Sequence, residues 1–226
     1  MIVVVASRYD AAATTVVARW GSRRATMLSA EDLCRPGWTL QLPDDDGGTS
    51  VIDGAVVSNA DFGGVLTLRP AVFPQELRSI RRADRTYVSC ELNAFLLTWL
   101  TAQSCRVVNR PTASSLAGPN WRPEQWSVAA SSLGIPVRPV RRSVPAVPPQ
   151  VFDGEFVEVT AIGQRCFGTE DSVLIAWTCQ LAKTAGVDLL TARYSIRGGY
   201  FLGANPLPAL DDPAIFEAVR SYVEGS

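Results

Sequence analysis

The run Ile2-Val3-Val4-Val5-Ala6 decides the fold class. It is apolar without alternation and rich in β-branched residues, the pattern of a strand buried on both faces of a parallel sheet. The residues after it support that reading. Asp10 to Trp20 is rich in alanine and valine and reads as a helix, with Asp10 near its start as the cap. Ala25–Leu28 reads as a short second strand. Trp38–Leu42 and Val51–Ser58 are strand-like and flank the turn signal PDDDGGTS, and Asp53-Gly54 adds a second turn. Val65–Leu68 is a further short strand, closed by Arg69-Pro70. Arg85 to Ala102 gives the strongest helical pattern, because Leu92, Phe95, Leu96, Trp99 and Leu100 fall on one stripe at helical spacing. Arg106–Val108 reads as a strand. Pro123–Leu133 reads as a helix that opens with proline in its first turn and stops at Gly134.

The stretch RPVRRSVPAVPPQ, residues 138–150, is proline-rich and marks a seam. Beyond it, Glu155–Ala161 and Gln164–Phe167 alternate around Gly163 as a β-hairpin, and Asp171–Ala185 is helical. Leu189–Ile196 and Tyr200–Ala204 flank Arg197-Gly198-Gly199 as a second hairpin, and Pro213–Val223 is an amphipathic helix. The expected class is α/β: a parallel-sheet domain over 1–137, a linker over 138–152, and a small α+β unit of two hairpins and two helices over 153–226.

Composition excludes several chemistries. The chain has 226 residues, 47% of them hydrophobic and 19% charged, enough to bury a sizeable core. Its net charge of −1 speaks against a broadly basic nucleic-acid binder. Histidine is absent, which removes Ser-His-Asp triads, Cys-His dyads, histidine zinc ligands and any histidine general base. Lys183 is the only lysine, so a phosphate site built on lysine has one candidate. No GxxxxGK[ST], GxSxG or strand-following GxGxxG occurs. Asp44-Asp45-Asp46 sits in a predicted turn and reads as a solvated loop.

Arginines gather at Arg78, Arg81, Arg82 and Arg85, and again at Arg106, Arg110, Arg122, Arg138, Arg141 and Arg142. They read either as an ordinary basic face or as a site for phosphate or carboxylate, which guanidinium forks bind bidentately. Cysteines at 34, 90, 105, 166 and 179 form no CxxC and read as buried free thiols of a reducing compartment. MIVVVASRYD reads as a first strand rather than a signal peptide, and Ala94 to Leu100 is far too short to span a bilayer. A cytoplasmic protein is expected.

The order of segments resembles the ATP-grasp superfamily, in particular its RimK-like branch of peptide ligases that includes the graspetide (microviridin-type) enzymes. The opening strand–helix–strand and GGVLTLRP are similar to that family's pre-ATP-grasp unit. ELNAFLLTWL and CRVVNRP follow in order. SSLAGPNWRPEQWSVAASSLGIPV resembles the pattern in which an Asn-Lys pair opens a helix ending in Leu-Gly-x-Pro. EFVEVTAIGQRCFG resembles the strand pair before the last strand, and RGGYFLGANPLPAL resembles the aromatic-Leu-Glu-x-Asn-Pro strand that carries magnesium ligands. The resemblance covers most of the chain and makes the 153–226 unit look like a remnant of the ATP-grasp C-terminal subdomain.

The departures fall on the chemistry. The carboxylate of that last strand is replaced by Gly203, leaving Asn205. The upstream aspartate aligns with Arg193, although a shifted register would bring in Asp188. Trp121 follows Asn120 where the lysine is expected. Only residues 141–154 separate GIPVRPV from EFVEV, where the family carries an adenine- and phosphate-covering subdomain. So short a segment has neither the strands nor the apolar content to form such a layer. Magnesium needs hard oxygen ligands, and arginine repels it.

The resemblance therefore implies a non-catalytic ATP-grasp-like protein acting as a partner, recognition or regulatory subunit, with no cofactor. Its expected partners are a second copy or a full-length ATP-grasp ligase, with a peptide as a further candidate and neither nucleic acid nor membrane. The alternative is an ATP-dependent carboxylate–amine ligase using ATP and Mg²⁺ at an atypical site. The ligand-binding candidates are Arg110, Asn120, Arg122, Asp188, Arg193 and Asn205. A third reading has Cys166 acting covalently beside Arg165. Trp99, Trp177 and Phe201 are expected in the core. Trp121 and Trp126 are expected either at an interface or in the space a nucleotide would take. Gly203 is expected either to permit close backbone packing or to be a lost ligand.

Overall fold

A computed structural model describes residues 1–43, 47–138 and 155–225. The expected linker falls largely on residues 139–154, and the aspartate run on 44–46; both lie outside the described residues. The chain forms two compact units, Met1–Asn120 with Ala209–Ser226, and Trp121–Pro208.

The first unit is built on the four-stranded parallel sheet β2-β1-β5-β6, made by β1 (Ile2–Val5), β2 (Ala25–Leu28), β5 (Gly64–Thr67) and β6 (Val107–Val108). Every residue of β1 is buried, as its unbroken apolar run requires. Alternate residues Val3, Val5, Leu28, Val65 and Val107 pack with Leu96, Trp99 and Leu100 of α2 (Arg85–Ala102). Helix α1 (Ala11–Trp20) is capped by Asp10, whose carboxylate accepts from the Ala12 and Ala13 N–H groups. The Trp20 ring at its end meets Phe216 of α5 (Pro213–Glu224). Gly64 lies directly against Val223 of α5, so that a Cβ at 64 would collide with the Val223 backbone.

β3 (Thr49–Ile52) and β4 (Ala55–Ser58) form a hairpin across Asp53-Gly54, both at positive φ, as a two-residue turn requires. The expected strand over Trp38–Leu42 is reduced to a single bridge between Thr39 and Thr49.

The second unit carries the antiparallel sheet β10-β9-β7-β8. β7 (Phe156–Ile162) and β8 (Arg165–Phe167) form one hairpin, and β9 (Leu189–Ser195) and β10 (Phe201–Asn205) the other. One face, through Val159, Ala161, Leu190, Ala192 and Tyr194, packs with Trp126 and Ala130 of α3 (Pro123–Ser132) and Leu181 and Ala182 of α4 (Ser172–Ala185). Helix α4 is capped by Asp171 and ends at Gly186 in the left-handed conformation. After α3 the chain turns at Gly134 and runs beside β10, where the Phe201 N–H donates to the Pro136 carbonyl at 2.8 Å. The Leu-Gly-x-Pro segment therefore extends this sheet.

Two helices lie in a different unit from the one their sequence position suggests. α3 precedes the proline-rich stretch yet packs with the second sheet, and α5 follows it yet packs with the first. Burial decides this: Trp126 joins the Tyr194 cluster, and Phe216 joins Trp20. No helix among the described residues is long and apolar enough to cross a membrane.

Candidate functional site

The face of the second sheet turned away from α3 and α4 holds the polar residues of interest. Antiparallel pairing puts directly opposed residues on the same face. Glu158, Arg193 and Gly203 stand in one row across β7, β9 and β10, and Thr160, Thr191 and Asn205 in the next. The Arg193 Nε–H donates to Glu158 Oε1 at 2.7 Å, and the guanidinium carbon sits 5.0 Å from the Phe156 ring centre. Thr160 and Thr191 join hydroxyls at 2.6 Å.

The register puts Arg193 opposite Gly203. Asp188 precedes β9, roughly 16 Å along the strand from Arg193 and on the opposite strand parity. Its carbonyl accepts the Gly163 N–H at 2.7 Å. Asn205 spends its amide locally: Nδ2 donates to the Leu207 carbonyl at 2.8 Å, and Oδ1 accepts the Leu207 N–H at 2.9 Å. Arg122 is the N-cap residue of α3, with its N–H donating to Gln125 Oε1 at 2.9 Å. Arg110 and Asn120 are exposed and belong to the first unit. The Arg110 carbonyl accepts the Gly118 N–H at 3.1 Å. The candidates thus fall in both units, and only Arg193 and Asn205 share one sheet face.

Gly203 does not serve close packing. A Cβ there meets nothing within 4 Å, so the position has room for a side chain and lacks one. Magnesium asks for several hard oxygen ligands in near-octahedral geometry. At the positions the resemblance assigns to it, this face offers no side chain at 203, a guanidinium at 193, and an amide oxygen already held by Leu207. These residues do not fit the ion. Among the described residues no three carboxylate or thiol side chains converge as a metal site.

Two expectations on the helix-facing side are corrected. Burial first, then the neighbouring Cys179 thiol, push the Cys166 thiol up to about 12, so it is protonated at neutral pH and is not an activated catalytic thiolate. Arg165 does not offset this: its guanidinium lies over the Phe167 ring, 5.1 Å from the centre. Burial likewise pushes the Tyr194 hydroxyl up to about 12, and it hydrogen-bonds Thr178 at 3.0 Å. Trp126 is 3% exposed and belongs to the core of the second unit, and the half-buried Trp121 packs against it edge-on at 4.7 Å. Trp99 and Phe201 are core residues as expected, and Trp177 is half-buried against Tyr194.

Sequence reasoning missed Glu158. Its position in an alternating strand opposite Arg193 was the available signal, but cross-strand register is fixed only by the fold.

No family model matches the chain, and no curated protein matches it by sequence. Its fold does match solved structures. Macrocyclase MdnC from Microcystis aeruginosa MRC, bound with precursor peptide MdnA, superposes with a TM-score of 0.70 at 12% identity, over 99% of this chain and 99% of that one. ATP-grasp ligase PsnB complexed with a minimal precursor gives 0.65 at 14%, over 98% of each chain. A RiPP-associated ATP-grasp ligase from Chryseobacterium gregarium, in complex with ADP and a leader and core peptide, gives 0.60 at 10%, over 98% and 96%. The chain is similar to ATP-grasp peptide ligases in fold over nearly its full length.

Proposed function

We propose that this chain is a shortened, non-catalytic relative of the ATP-grasp peptide ligases, acting in the cytoplasm as a recognition or regulatory subunit. The observation that carries the reading is the Glu158–Arg193–Gly203 row. The two positions that the family resemblance gives to magnesium carboxylates, taken with Arg193 rather than Asp188 as the upstream one, lie side by side, one without a side chain and the other holding a guanidinium. ATP-dependent acyl-phosphate formation concentrates negative charge that Mg²⁺ must neutralise, and the side chain at 193 is a guanidinium paired with Glu158, which holds no metal. The shortened part of the reading rests on the few residues between Arg138 and Glu155. The ligases similar in fold are seen with precursor peptides, which makes a peptide substrate or its full-length ligase the natural partner, with a second copy of this chain as the other candidate.

Calorimetric titration with Mg-ATP tests the catalytic half: no heat and no thermal shift are expected, and saturable binding lost on chelating Mg²⁺ overturns it. Light scattering with co-expressed full-length ligase tests the other half, and a strict monomer binding neither ligase nor peptide overturns that. One observation favours the alternative, an active ligase with an atypical site. The Glu158 carboxylate shares the sheet face with Asn205 and, among the described residues, is the acid of that face placed to replace a lost ligand.

A further inference from the structure

Cys166 of β8 and Cys179 of α4 bring their sulfurs to 3.0 Å. Cys166 stands opposite Ala161 on the helix-facing side of the sheet, and Cys179 lies one helical turn after Ile175, whose carbonyl accepts from the Cys166 thiol at 4.0 Å. Both thiols are partly accessible, and both belong to the second unit. Two thiols already in contact across a strand and a helix need only a short approach to reach bonding distance. We propose that Cys166 and Cys179 are a disulfide-forming pair that oxidation by a low-molecular-weight disulfide closes, fastening β8 to α4.

The step balances with glutathione disulfide as the oxidant. The Cys179 sulfur loses its proton to solvent and attacks one sulfur of glutathione disulfide; the S–S bond breaks and one glutathione leaves as thiolate. The Cys166 sulfur then loses its proton to solvent, attacks the Cys179 sulfur of the mixed disulfide, and expels the second glutathione. Two protein thiols are oxidised and one glutathione disulfide is reduced to two glutathiones. The bond closes a loop between residues 13 apart, which restricts the unfolded chain more than the folded one.

The exposed Cys34 and Cys90 are the internal comparison. After incubation of the full chain with glutathione disulfide at mildly alkaline pH, peptide mapping without reduction is expected to find residues 166 and 179 in one cross-linked peptide without glutathione, and glutathione adducts at Cys34 and Cys90. The oxidised protein is expected to melt several degrees higher than the reduced one, and reduction reverses the shift. Cys166→Ser, checked for its fold by circular dichroism, is expected to keep a stable glutathione adduct at Cys179 and to lose the oxidation-dependent shift. Glutathione adducts at Cys166 or Cys179 in the unaltered chain without a cross-link overturn the proposal. So does a pair that stays reduced while Cys34 and Cys90 react.

Discussion

Arg193 stands directly opposite Gly203 across the β9–β10 pair, and its guanidinium turns the other way to Glu158 of β7. The three residues cross the sheet in one row, so a change of charge in the middle is felt on both sides. Replacing Arg193 by Asp and Gly203 by Glu together would put three carboxylates in that row beside Asn205. The double variant is expected to bind divalent cation more tightly than the unaltered chain, read by Mn²⁺ paramagnetic resonance. A fold that stays intact yet binds no more cation than the unaltered chain would show that this row cannot form a metal site.

The two glycines Gly64 and Gly203 predict opposite responses to the same change. A methyl at Gly64 would collide with the Val223 backbone, which cannot step aside without moving α5. Gly64→Ala is expected to destabilise by about 1–3 kcal/mol, the usual cost of overpacking. Gly203→Ala meets open space and is expected to leave the urea midpoint unchanged or slightly raised, since alanine restricts the unfolded chain. Equal losses at the two positions would contradict the close approach at Gly64.

In the first unit Arg69, 4% exposed, donates to the Ala6 and Ala71 carbonyls and forms an ion pair with Glu76. Desolvation lowers the guanidinium pKa, and Glu76 partly restores it. Removing one partner leaves a buried charge uncompensated, so Glu76→Ala is expected to cost about 3–5 kcal/mol in urea unfolding. Replacing both residues by apolar ones of similar size is expected to cost less than either single change.

Alkaline pH should weaken the second unit. The unfolded chain releases the Cys166 proton near the ordinary thiol value of 9.0, whereas the folded chain holds it to about 12. Over that interval the folded state binds more protons, so stability falls as pH rises. Below it, protonation is the same in both states and the full stability is present. Tyr194, raised from 10.0 to about 12, adds to the same decline. Thermal unfolding followed across this range is expected to show a Tm loss that Tyr194→Phe and Cys166→Ala each reduce; variants with an unchanged alkaline slope would contradict it.

Local pattern made most elements readable. The α2 stripe of Leu92, Phe95, Leu96, Trp99 and Leu100 marks Arg85–Ala102 because its spacing is a property of the helix itself. Asp10, Asp171 and Gly134 mark helix ends because capping acts within a few residues. The site was only half legible. Gly203, Arg193 and Asn205 could be picked out by their order, but Glu158 could not, because nothing local says which residue of β7 faces Arg193.

Residue order alone made legible the α/β class, nearly every helix and strand, the absence of histidine chemistry, and the positions Arg193, Gly203 and Asn205 that the family resemblance singles out. Only the tertiary structure decided that α3 joins the second sheet and α5 the first, that Arg193 rather than Asp188 faces Gly203, and that Cys166 meets Cys179. The division has a physical basis. Periodicity and capping are short-range and written in neighbouring residues, whereas register and packing partners are chosen by which apolar faces bury one another across the whole chain.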